Sequence, residues 1–433
     1  MKTAIQSSIR IVLFNLVPVL MIIGVVNAID IEAATYYVST SGNDGNACTP
    51  GAMGSSARRH ISAGLACLSA GDTLRIQAGT YTSASDRIDQ GIVAFPGGSF
   101  GAPTIIEANP GDTVTLTPPL SGASREWGAV YVTSSNVTVR NFHIDGTYTW
   151  PKLVGVNGGD HVTIEGNDIC CTRGGTDPPD SWLMGWAGTN GLIKNNVMHD
   201  ARTTLSYNNG NNDGYACYCH FNGLTFDGNT FYNNGNLAIH WFTYDGADNG
   251  GIFKNNTFYN NGIDHMTVGN PGIDIYANGN SHQIYNNVFY GSPDGAVRLA
   301  GSGNQIYNNT FYNTGNSGNV LRSAIWLDGS SNLVRNNLIL NTPTAIHSSG
   351  GDTVSNNISS GTASSIFTNV NAGDFTLKAG STPIDAGVTI DFIKTDHAGM
   401  PRPYRSVYDI GAYEFQGTSL TSIPPPSNLR VAP

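Results

Sequence analysis

A six-residue pattern recurs through the middle of this chain: apolar, any residue, Asn or Gly, Asn, any residue, apolar. It reads Ile164-Glu-Gly-Asn-Asp-Ile169, then Ile193-Lys-Asn-Asn-Val-Met198, and continues through Phe226, Phe253, Ile284, Ile306, Val334 and Val354. The anchoring Asn falls at 167, 196, 229, 256, 287, 309, 337 and 357, in steps of 29, 33, 27, 31, 22, 28 and 20 residues. Val139-Arg-Asn-Phe-His-Ile144 is a degenerate earlier copy. A short minimum step with variable excess describes a solenoid, whose rungs share a fixed core and differ in their loops. Within each unit, short alternating runs are separated by Gly/Asn turns, which is the period of strands and not of helices. The abundance of Gly and Asn, both poor helix formers, excludes a largely helical chain. An Asn at each corner tolerates the left-handed backbone of a tight turn, and its amide can bond turn backbone and the Asn stacked above it.

The expected fold class is therefore all-β: a right-handed parallel β-helix of about ten rungs over residues 82–370, with a short N-terminal strand and cap over 35–81. Phe231, Phe258, Phe289 and Phe311 recur at one slot and are expected to stack as core. Before this, Lys2 and Arg10 flank the start of a 16-residue apolar run, Ile11–Val26, and Val26-Asn27-Ala28 offers a small-residue cleavage site. The run is broken by Asn15 and Pro18 and is short for a membrane span, which needs about 20 residues. Residues 1–28 read as a signal peptide, so the protein is expected to be exported, secreted or at the cell surface, with no membrane role beyond export. Six cysteines suit that setting. Cys48 can pair with Cys67, while Cys170-Cys171 and Cys217-x-Cys219 could staple neighbouring units. The alternative is a metal site from Cys217, Cys219 and His220 with Cys170 or Cys171.

Both ends carry resemblances. Tyr36-Tyr-Val-Ser-Thr-Ser-Gly-Asn-Asp44, followed by Ala70-Gly-Asp-Thr-Leu-Arg-Ile-Gln-Ala-Gly-Thr-Tyr81, resembles the opening of pectate-lyase-like right-handed β-helix proteins. In those the intervening segment forms a capping helix, here about 60–69. Ser381-Thr-Pro-Ile-Asp-Ala-Gly387 to Asp409-Ile-Gly-Ala-Tyr-Glu414 is similar to the choice-of-anchor Q module of exported bacterial β-helix proteins. That match implies a C-terminal wrap over 371–416, leaving 417–433 as a linker. The superfamily holds lyases, hydrolases, epimerases and inert adhesins, so the resemblance implies a scaffold more than a reaction.

In a parallel solenoid equivalent positions stack about 4.8 Å apart, and outward side chains form columns that suit an extended polymer. Aligning Ile239-His-Trp241, Ile273-Asp-Ile275, Val297-Arg-Leu299, Ile325-Trp-Leu327 and Ile346-His-Ser348 gives an outward column of His240, Asp274, Arg298, Trp326 and His347. Extrapolation towards the N-terminus, within a residue, adds Asn157, Trp186 and Tyr218. A second column two residues on contains Phe242, Tyr276, Ala300 and Asp328. Aromatic rings among acidic, basic and imidazole groups point to a polysaccharide partner. The formal net charge of −10, with no basic run, argues against nucleic acid. A monomer is expected.

Two reactions compete on such a column. β-Elimination needs a uronate carboxylate neutralised and the neighbouring proton removed; here Arg298 serves as base or clamp and His240 as the alternative base. Trp186, Tyr218, Tyr276, Trp326 and His347 would bind substrate. The resemblance also implies Ca²⁺ as a possible cofactor, with Asp245, Asp248 and Asp274 as its candidate ligands. The chain has no outward Asp/Glu cluster on consecutive rungs like that of calcium-dependent pectate lyases. A glycoside hydrolase would need two carboxyls, with Asp274 paired to Asp245, Asp264 or Asp294. A non-catalytic, adhesin-like glycan-binding protein is the third reading. Long loops over 172–181, 201–215, 243–251 and 264–272 mark the same region as functional.

Overall fold

The structure, a computed structural model, describes residues 33–119, 127–148, 151–173, 181–202, 214–220, 222–242, 249–263, 272–317, 322–404 and 407–417. The segments expected to be a signal peptide (1–28) and, beyond residue 417, a linker lie outside them, as do Asp245, Asp248 and Asp264. Among the described residues three long parallel sheets contain 10, 12 and 10 strands. One rung shows how the chain visits them. Lys152–Asp160 lies in the first sheet, Thr163–Glu165 in the twelve-stranded second sheet and Asp168–Arg173 in the third. The chain then returns to the first sheet through Ser181–Thr189.

The recurrent Asn-Asn pair divides two jobs that the sequence reading assigned to one residue. The first position takes the left-handed backbone: φ is +53° at Asn195, +56° at Asn255 and +57° at Asn336. Gly166 and Gly228 occupy this slot at +64° and +69°, which is why the pattern reads Asn or Gly there. The second Asn turns inward. Asn287 Nδ2 donates to the Phe253 carbonyl at 2.8 Å and to Asn309 Oδ1 at 3.0 Å. Its own Oδ1 accepts the Asn256 backbone N–H at 2.9 Å. The same pattern links Asn167 through Asn337 to Asn357, so buried corner amides are satisfied from rung to rung. Beside this ladder Phe231, Phe258, Phe289 and Phe311 stack with successive centroids 4.8 Å apart, each fully buried.

At the N-terminal end a short helix, Ile61–Leu65, buries Ile61 and Leu65. At the other end, residues 384–404 and 407–414 are held by the left-handed Asn side chains. Asn308 Nδ2 donates to the Asp409 carbonyl at 2.9 Å and Asn336 Nδ2 to that of Val388 at 2.7 Å. Arg402 and Glu414 meet there in a fully buried ion pair at 2.8 Å.

The cysteines pair locally: Cys48 with Cys67, Cys170 with Cys171, and Cys217 with Cys219. The expected staple between units is not formed, nor is the metal set with His220. Cys217 and Cys219 point into the core of the first sheet, whereas Cys170 and Cys171 lie on the third.

Candidate functional site

Strand register builds the outward column of the first sheet. Tyr131, Gly155, Gly185, Tyr218, His240, Tyr276, Arg298, Trp326 and His347 stand opposite one another on successive strands. The His240 imidazole stacks on Tyr276, centroids 5.4 Å apart, and meets Tyr218 edge-on at 5.1 Å. Arg298 Cζ lies 5.1 Å from the centre of the Tyr276 ring. Trp326 and His347 stack at 3.8 Å.

Charge on this face is organised around one carboxylate. Asp328 Oδ2 accepts from Arg298 Nε at 2.8 Å, and Oδ1 accepts from Trp326 Nε1 at 2.7 Å. Arg298 is about 70% buried, so its guanidinium is held in place with donors to spare. His240 is the opposite case. Among the described residues neither ring nitrogen has a hydrogen-bond partner. Burial, with His220 adding like charge, pushes its pKa down to about 4, leaving a neutral imidazole at physiological pH.

The structure corrects four of the column assignments: Asp274, Trp186, Tyr276 and Asn157, the last lying two residues beyond Gly155, which holds the column position. Asp274 is fully buried and faces away from solvent. Ile273-Asp-Ile-Tyr-Ala277 contains two apolar-x-apolar frames, and the strand pairs Ile239 with Ile275, two residues later than alternation suggested. A slip of two preserves the in/out period, so hydrophobicity could not detect it. Asp274 instead takes a corner slot filled by buried Ala216, Ala238, Ala296 and Ala324 in the neighbouring rungs. There it accepts from Asn261 Nδ2 at 2.8 Å and Ser292 Oγ at 2.8 Å, ending a second, short Asn ladder that begins at Asn234. Burial raises its pKa to about 7 despite these hydrogen bonds. It is available neither to a substrate nor to an ion on this face. Trp186 is likewise 1% exposed and donates Nε1 to the Gly188 carbonyl at 3.0 Å, and Gly185 holds the column position. Tyr276 belongs to the main column, and Asn278 takes its expected place beside Phe242 in the second.

Losing Asp274 removes the carboxyl on which the paired-acid arrangement depended, and its possible partner Asp294 is buried too. The described residues do not fit a calcium ion on this face. Of the carboxylates in register on this sheet, Asp89 is buried and Asp328 already has both oxygens engaged, and Asp245 and Asp248 fall outside the described residues. The one close group of candidate ligands among the described residues is Asp145, Cys170 and Cys171 on the third sheet, where the two sulfurs are bonded to each other.

Sequence reasoning missed three aromatic residues at the N-terminal end of the column. Trp182 stacks on Tyr218 at 4.5 Å, Tyr215 meets His240 edge-on at 5.0 Å, and Trp127 lies 6.2 Å from Trp182. The signal was present as Gly155 and Gly185, equivalent positions of adjacent rungs without a side chain. A hydrogen-bonded chain on the third sheet was also missed. Asp168 bridges His143 at 3.0 Å and His199 at 3.1 Å, and His199 reaches Asp200 at 2.7 Å. Burial opposes charge on His199, but bonds to Asp168 and Asp200 prevail and raise its pKa to about 9. His143 is raised as well, chiefly by Asp168.

The sequence profile described as "Right handed beta helix region" matches residues 127–311 and 216–382. No curated protein matches the chain in sequence. Among solved structures, pectate lyase Pel9A is similar with a TM-score of 0.58 at 19% identity, over 88% of this chain and 96% of that one. A rhamnogalacturonan lyase is similar with a TM-score of 0.55 at 19% identity, over 78% and 91%. At such identities the likeness speaks to the fold, and the profile covers more than half of the residues. The chain belongs to the right-handed β-helix family.

Proposed function

We propose that this protein is an exported, carbohydrate-active lyase that binds an acidic polysaccharide along the first sheet and cleaves it by β-elimination. The observation that carries the reading is a braced Arg298 with a neutral, unpartnered His240 two rungs away, whose ring nitrogens are covered by neighbouring rings and are uncovered as substrate enters, on a face rich in aromatic rings. Arg298 holds the uronate carboxylate through the donors that Asp328 leaves free, drawing charge from the adjacent carbon and acidifying its proton. His240 Nε2 or Nδ1 takes that proton, a C=C bond forms, and the bond to the leaving sugar oxygen breaks. The imidazolium then returns the proton to that oxygen, so no group is consumed. Tyr218, Tyr276, Trp326 and His347 flank the reacting sugar. The pectate and rhamnogalacturonan lyases that share the fold act on uronate-containing glycans, which supports the substrate class. The leader pattern of residues 1–28 supports export.

The test is ultraviolet absorbance of the unsaturated product during incubation with pectate, rhamnogalacturonan and alginate, with calcium and with chelator. Arg298→Ala and His240→Ala are expected to lower turnover by about 10²–10⁴-fold while circular dichroism is unchanged. No product from any uronate polymer, with no new reducing ends, would overturn the lyase reading and leave a glycan-binding protein.

A further inference from the structure

Gly155 and Gly185 sit where every later rung of the column carries a side chain. A Cβ on Gly155 would lie 2.6 Å from Trp127 Cδ2 and Cε2, and one on Gly185 would lie 2.2 Å from Trp127 Cη2. The first contact falls on the five-membered ring at its fusion bond, the second on the far edge of the six-membered ring. The Trp127 ring therefore lies across two rungs, its five-membered side over Gly155 and its six-membered side over Gly185, in direct contact with backbone. Two adjacent rungs give up a side chain, and the space is taken by a single ring from the preceding rung. No core demand explains this: the ring is partly exposed and the glycines face outward. The result is an aromatic surface continuous with Trp182 and Tyr218.

We infer that Trp127 is a sugar-stacking subsite at the far end of the groove, and that the bound polymer runs from Trp127 to His347. The inference rests on the glycan-binding reading above. The axial C–H faces of a pyranose are apolar and pack on a flat ring, and an indole lying on glycine presents such a ring without a competing side chain. The column spans seven strand steps between Gly155 and His347, roughly 34 Å at the spacing of parallel strands. One residue of an extended glycan is about as long as that spacing. The groove thus takes about seven sugars. A tetrasaccharide covering His240 to Trp326 does not reach Trp127, whereas an octasaccharide does.

The experiment titrates the full chain with oligogalacturonates of four and eight residues, and with oligoalginates of the same lengths. Cleavage is suppressed by His240→Ala in every sample, and binding is read calorimetrically. The octasaccharide should bind about tenfold more tightly than the tetrasaccharide. Trp127→Ala should abolish that advantage and leave tetrasaccharide affinity unchanged. Gly185→Ala, which touches no sugar but displaces the ring, should do the same. Equal affinity for both lengths, or an octasaccharide advantage that survives both substitutions, would overturn the subsite and leave the catalytic reading standing. Failure of both series to bind at all would overturn the acidic-glycan reading itself.

Discussion

His240 and His199 are both imidazoles on outward positions of ten-stranded sheets, and their environments drive them in opposite directions. His240 lies among Tyr218, Tyr276, Tyr215 and Phe242, rings that exclude water without accepting a proton, and its pKa falls to about 4. His199 stacks on Tyr232 in a similar way, yet Asp168 and Asp200 bond both of its nitrogens and lift it to about 9. Stacking alone does not set the charge of an imidazole; the presence of a carboxylate acceptor does. One face is therefore left with a neutral imidazole, covered by rings and without an acceptor. The other is an ion-paired clasp in which both nitrogens of His199 are bonded within the protein.

The comparison is broken most directly by removing each histidine. His240→Ala should cost about 10²–10⁴-fold in turnover on a uronate polymer, whereas His199→Ala should change it by no more than a few-fold, both read from initial rates. A comparable loss in the two variants would show that the third-sheet cluster takes part in the reaction.

Stability gives the next largest effect, with the Asn ladder as the structural reference. Asn287→Ala should destabilise by about 2–4 kcal/mol in urea unfolding, because it leaves the buried Asn256 N–H and Phe253 carbonyl without partners. Asp168→Asn should cost less, about 1 kcal/mol once solvent screening at this half-exposed carboxylate is allowed for.

Titration sharpens the contrast. His199 is raised from 6.5 to about 9, so its contribution is fully present below pH 6.5 and is lost as pH rises through 9. His240 is lowered from 6.5 to about 4, so it costs nothing above pH 6.5 and destabilises as pH falls towards 4. Thermal unfolding of His199→Gln should therefore lie furthest below wild type near pH 6 and converge with it above pH 9. His240→Gln should gain on wild type between pH 6.5 and 4. Histidine ring NMR should place the two transitions on either side of neutrality.

The remaining comparison concerns Asp274, where stability and not turnover is expected to respond. Its pKa of about 7 means a neutral carboxyl below that pH and a buried charge above it. Wild type should lose stability relative to Asp274→Asn as pH rises from about 4 to 7 and hold a constant difference above that, with turnover on soluble uronate polymer unchanged at pH 6. A collapse of turnover in Asp274→Asn would return this residue to the reaction.

Much of the scaffold was legible because repetition is a local signal. The Asn-Asn corners, the Phe stack and the apolar alternation each repeat within one rung, and each has a chemical reason visible in a few residues. Parts of the outward column were also legible: His240, Arg298, Trp326 and His347 stand in one line, and Tyr218 joins them. Asp274 and Trp186 were misplaced for a definable reason. Alternation repeats every two residues, so Ile273-Asp-Ile-Tyr-Ala277 offers two equivalent registers, and the long loops beside Trp186 leave its offset open. Only hydrogen bonding across rungs chooses between them.

The sequence by itself determined a β-solenoid with an Asn ladder at its corner, because left-handed turns and buried amides admit few residue types. The tertiary structure alone decided which side chains share the outward face. It put Tyr276 between His240 and Arg298, sent Asp274 into a corner, and laid Trp127 over two glycines. Those choices depend on register between strands 20 to 40 residues apart, and no local preference encodes that register.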